Sequence, residues 1–167
     1  MSLSLSNWDY YLVLERELVN SFNYVELSND NFSTYSVEFA KMLLSICSEF
    51  DSVLKDYVEL RSGNRPSNIK EAFECLSALN DIAFVNEVVD IAINQSISLK
   101  PFNAWINGMY AKLTWWDSYN AVKHDRGTYF RKANLENCLN SLAAFLCIEI
   151  VSLKCFGVKR LTPVNRL

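Results

Sequence analysis

Apolar residues recur at helical spacing along most of the chain. Tyr11, Leu14, Leu18, Phe22 and Val25 share one face, with Glu15, Arg16 and Glu17 between them, predicting an amphipathic helix from Trp8 to about Val25. The polar run Leu27-Ser28-Asn29-Asp30-Asn31 then predicts a loop. A second helix is expected from Thr34–Ser36, which offer its cap, to about Leu60. Its stripe of Phe39, Leu43, Ile46, Phe50, Val53, Leu54 and Tyr57 spans roughly 80° of an ideal helix. Glu49 lies at the edge of that stripe, either as a boundary carboxylate reaching water or as a partly buried acid that needs a partner.

Ser62-Gly63-Asn64-Arg65-Pro66 breaks the pattern by its turn chemistry. Ser67 can cap a shorter helix carrying Ile69, Phe73, Leu76 and Leu79. Residues 82–100 are rich in β-branched side chains and suit a short extended pair or a loop crossing the bundle, with Asn94-Gln95-Ser96 as its turn. Pro101-Phe102-Asn103-Ala104-Trp105 reads as an aromatic-anchored connection. Thr114-x-x-Asp117 resembles a capping box, predicting a helix from Trp115 that stops at Gly127. The last helix has the clearest periodicity, from Leu135 through Cys138, Leu142, Leu146 and Ile150 to Leu153, with Asn134 as its cap and Gly157 as its stop. The tail from Lys159 to Leu167 is expected to fray. No linker or internal repeat divides the chain, so residues 1–167 form one domain. The expected architecture is all-α: an antiparallel bundle of about four to five helices with a short irregular or β-like insertion near residues 82–100.

Composition narrows the picture. The 167 residues are half apolar, with only 4 Gly and 3 Pro, as long helices require. Net charge is −3, which argues against a broad duplex-DNA surface, while 16 Lys and Arg leave room for a local basic patch. No run of 18 apolar residues and no signal-peptide pattern appear, so a cytoplasmic protein without a membrane partner is expected. The five cysteines include no Cys-x-x-Cys pair and read as reduced, largely core residues. With a single histidine, no metal site or cofactor is expected.

Chemistry concentrates in Trp115–Arg126, which holds two of the four tryptophans and the only histidine. On an ideal helix Trp115, Tyr119, Val122 and Arg126 share one face, while Asp117, Asn120 and His124 share another. His124 has two readings. One is structural, a histidine satisfied at a helix end. The other is a general acid or base oriented by Asn120, with Lys123 and Arg126 contacting phosphate. That second arrangement suits RNA cleavage, where the 2′-hydroxyl is the nucleophile.

The motif Tyr119-Asn120-x-x-Lys123-His124-x-Arg126, followed by Ala133-Asn134-Leu135, resembles the HEPN superfamily of bacterial defence and toxin proteins. Thr34-Tyr35-Ser36-x-Glu38-Phe39, Ser48-Glu49-x-Asp51 and Pro101-Phe102-x-x-Trp105 resemble a group within it, and the likeness covers roughly residues 20–150. It implies a metal-independent RNase built from an Arg, a polar residue, three variable residues and a His, with two protomers joining their motifs in a homodimer. Asn120 then matches the polar residue and His124 the catalytic histidine, while Tyr119 stands where the family has Arg. A tyrosine carries no permanent positive charge. Lys123 and Arg126 are the available substitutes, about 100° and 160° from His124 on an ideal helix. Two functions follow: a HEPN-like RNase or RNA-binding effector of a defence or toxin–antitoxin system, or a catalytically silent HEPN-like dimer that binds an antitoxin or defence partner protein. In the silent form Asn120, Lys123 and His124 would form a hydrogen-bonded network, with Glu49 as the acid satisfying it.

Overall fold

The computed structural model describes residues 5–155. Among them the chain forms α1 (Leu5–Ser21), α2 (Val37–Ser62), α3 (Ile69–Ala78), β1 (Val89–Asp90), β2 (Ser98–Leu99), α4 (Thr114–His124), α5 (Arg126–Tyr129) and α6 (Leu135–Cys155). This is an all-α bundle, and the insertion is a minimal antiparallel pair in which Val89 faces Leu99 and Asp90 faces Ser98.

Helix α2 is built as its sequence predicts. The Ser36 side chain accepts a hydrogen bond from Phe39 N at 3.0 Å, capping the first turn. At the other end Gly63 takes φ +77°, a left-handed turn that needs no Cβ, and donates to Glu59 O. The whole predicted stripe from Phe39 to Tyr57 is buried. Each such Leu, Ile or Phe contributes about 1.5–3 kcal/mol on leaving water.

The most extensive helix contact is between α2 and α6. Leu135 N donates to Thr34 O, Glu136 N donates to Phe32 O, and Tyr35 bridges Asn134, so the start of α6 is pinned to the start of α2. Cys138 Sγ meets Phe39 O at 3.3 Å, and Cys155 is an electrostatic neighbour of Tyr57 at the far end. These two helices therefore run parallel, because residues 63–134 carry the chain back before α6 begins. Helix α4 runs antiparallel to α2: Trp115 meets Phe50, and Phe130, just past α5, meets Tyr35.

Residues 82–105 close one side of the bundle. Phe50 contacts Phe102, Trp115 and Trp116, and Phe102 meets Phe84 edge-on and packs tilted against Trp105. Trp115 Nε1 donates to Pro101 O, and Trp105 Nε1 donates to Ala111 O, both at 2.8 Å. Burying these rings costs no unpaired indole N–H.

Several boundaries differ from the sequence expectation. Helix α1 ends at Ser21, and Phe22 and Val25 reach the core from the turn that follows. The cap of α3 is Asn68, whose Oδ1 accepts from Glu71 N at 3.0 Å, and Ser67 instead donates its N–H to Glu71. Helix α4 begins at Thr114 itself, after Leu113, with no side-chain cap. Helix α6 is long and apolar enough to cross a membrane by length and composition, although 67% of its most apolar window is buried inside the bundle. The Gly157 stop and the tail lie outside the described residues. Cys47, Cys138 and Cys147 are buried, and all five cysteines are free.

Candidate nucleic-acid interface

Helix α4 separates its residues by burial. Trp115, Tyr119 and Val122 face the core, as the helical wheel predicts, and Ser118 joins them. Lys123 and His124 are exposed at its last turn. The helix stops there because Asp125 leaves helical geometry, with φ −149° and ψ 82°. Asp125 Oδ1 accepts from Thr128 N at 3.1 Å and so caps α5. Hydrogen bonds from Thr128 hold the Asp125 carboxyl below its ordinary range. The break precedes the predicted Gly127 stop, and Gly127 lies inside α5.

This break also moves Arg126 off the face it would share with Tyr119 on a continuous helix. Its guanidinium lies 5.9 Å from the Phe130 ring centroid. Tyr119 is a core residue, with its ring 4.9 Å from that of Trp116. Lys123, one turn later, sets its Nζ 5.4 Å from the Tyr119 centroid. A cation therefore stands over the Tyr119 ring.

The remaining residues of the motif do not form a preassembled network. Asn120 Nδ2 donates back to Trp116 O at 3.0 Å. Asp117 faces Lys112 at 3.4 Å and Lys132 at 3.9 Å. Among the described residues no hydrogen bond or salt bridge joins His124 to Asn120, Asp117 or Glu49. Glu49 lies elsewhere, beside Glu149 of α6.

Glu149 is the acid that sequence reading missed. It is 1% exposed, and its Oε1 has no hydrogen-bond partner among the described residues. Burial first, and the Glu49 charge second, push its carboxyl up to about 7. Its spacing, seven residues after Leu142 and four before Leu153, was the available signal that it shares the core stripe.

Sequence reading also missed cations beyond Arg126. In the 3-10 turn Phe130–Lys132, Arg131 lies 5.8 Å from the Tyr35 centroid and Lys132 lies 5.4 Å from that of Tyr129. Residues 123–132 carry four Lys or Arg against one Asp, a net +3 within a chain of net −3. Lys112, Asp117, Ser118, Arg131, Lys132 and Asn137 line an adjoining open cleft of about 430 Å³. Comparison with protein-family models, curated proteins and solved structures found no match.

Proposed function

We propose that this protein is a HEPN-like RNA-binding effector, acting as a metal-independent endoribonuclease when two copies bring their α4 ends together. The observation that carries this reading is the exposed His124 at the helix end, in a segment that concentrates Lys123, Arg126, Arg131 and Lys132. Phosphate would be attracted to those cations. His124 would take the proton of the 2′-hydroxyl as its oxygen attacks phosphorus and the bond to the 5′-oxygen breaks. The leaving 5′-oxygen would receive a proton from His124 of the second copy. Lys123 supplies the charge that the family draws from its Arg, and Asn120 borders the phosphate and steadies the last turn through Trp116. The setting that the resemblance implies is bacterial defence or a toxin–antitoxin pair, with an inhibitory partner protein.

The test is cleavage of a mixed RNA pool by the purified protein in EDTA, with product ends analysed. The expected products carry 2′,3′-cyclic phosphates, and His124→Ala should slow cleavage by roughly 10²–10⁴-fold, the range for general acid–base catalysis. Asn120→Ala should also lose activity. No cleavage by a folded dimer would refute the nuclease reading. The silent, partner-binding dimer is the second reading, favoured by the buried Tyr119 and by Asn120 bonding away from His124.

A further inference from the structure

We infer that the surface made by Tyr35, Tyr129, Phe130 and the cations of residues 126–132 is a stacking track for single-stranded nucleic acid. The inference rests on the RNA-binding reading above and adds its mode of recognition. The residues come from distant parts of the chain. Tyr35 precedes α2, yet its ring meets Phe130 edge-on at 5.3 Å and lies under Arg131. Arg126 lies over the other aromatic of that pair, Phe130. Tyr129, the next residue back, carries Lys132.

Tyr35 is 41% exposed and Tyr129 is 42% exposed. Large aromatics left at a surface beside guanidinium and ammonium groups match the two needs of an unpaired strand: ring faces for bases and fixed cations for phosphates. A duplex keeps its bases stacked inside and would use only the cations. The rest of the chain is net acidic, so this face is favoured over it for an anionic strand. The Tyr35–Asn134 bridge holds the two halves of the track together, so its geometry is built by the fold.

The test is fluorescence anisotropy on the full chain with four probes of equal length: oligo-U, oligo-dT, an abasic strand, and a duplex. The deoxy strand lacks the 2′-hydroxyl, so binding is read apart from cleavage. Oligo-U and oligo-dT should bind, and the abasic strand and the duplex should bind at least ten-fold more weakly. Tyr35→Ala and Tyr129→Ala should each weaken oligo-dT binding by about ten-fold, within the range for one stacked base. Tyr35→Phe should retain binding, and circular dichroism should show each variant folded. With three phosphate contacts, from Arg126, Arg131 and Lys132, the log–log salt slope should be about −2. Equal binding of the abasic strand, or folded Tyr→Ala variants that bind like wild type, overturns the stacking track while leaving RNA cleavage standing. Binding and cleavage both absent from the folded protein overturns both. Displacement of oligo-dT by poly-glutamate as readily as by unlabelled oligo-dT overturns the track in favour of an acidic protein partner.

Discussion

Replacing Glu149 by Gln should flatten the pH dependence of stability. The carboxyl is 1% exposed in the α2–α6 interface, and burial raises it from 4.5 to about 7. Below pH 4.5 both folded and unfolded chains hold the proton, so the shift has no effect. As pH rises from 4.5 to 7 the unfolded chain releases the proton while the folded one retains it, and stability falls. Above 7 the loss is complete. At 1.36 kcal/mol per pKa unit the loss is about 3 kcal/mol, a large fraction of the stability of a typical domain. Urea unfolding of wild type and E149Q at pH 5 and pH 8 measures it. The amide carries no titrating proton, so the variant should be more stable relative to wild type at pH 8 than at pH 5 by about 2.5 kcal/mol, since part of the loss has already occurred at pH 5. That double difference cancels any fixed cost of burying the amide. Glu15 is also raised by burial and has the same sign, so a smaller slope should persist in E149Q. Glu49→Gln should leave Glu149 shifted, but less, since Glu49 is the second cause. Identical pH slopes for wild type and E149Q would refute the reasoning.

Two further changes test how the bundle supports the α4 end. Phe50→Ala removes the ring on which Trp115, Trp116 and Phe102 converge. It should cost about 3–5 kcal/mol in urea unfolding and reduce the near-ultraviolet aromatic signal, and a loss under about 1 kcal/mol would mean the cluster is not a packed core. Asn134→Ala removes the hydrogen bond from Asn137 N that caps α6. It should cost about 1 kcal/mol in urea unfolding, while the Tyr35–Asn134 bridge, made by backbone groups, remains.

The burial pattern of the candidate site was legible in sequence because it lies within one short segment. Trp115, Tyr119 and Val122 went to the core as their spacing required, and Lys123 and His124 went to the surface. The stop at Asp125 was not legible, since Gly127 is the stronger local breaker and Asp125 acts through a cap formed with Thr128. Once the helix broke there, Arg126 could not keep the face assigned to it. That Glu49 lies beside Glu149 and not His124 was also out of reach, because it depends on which face of α2 meets α6 and which meets α4.

Local periodicity, caps and turn residues were enough to determine that the chain is helical, where α2 and α6 lie, and that residues 82–100 interrupt the pattern. These properties depend on neighbours within one or two helical turns, which sequence states directly. The tertiary structure decided the rest. It set α2 and α6 parallel, buried Glu149 beside Glu49, and brought Tyr35 under Arg131. Each depends on contacts between residues far apart in the chain, where packing and desolvation outweigh the preference of any single segment.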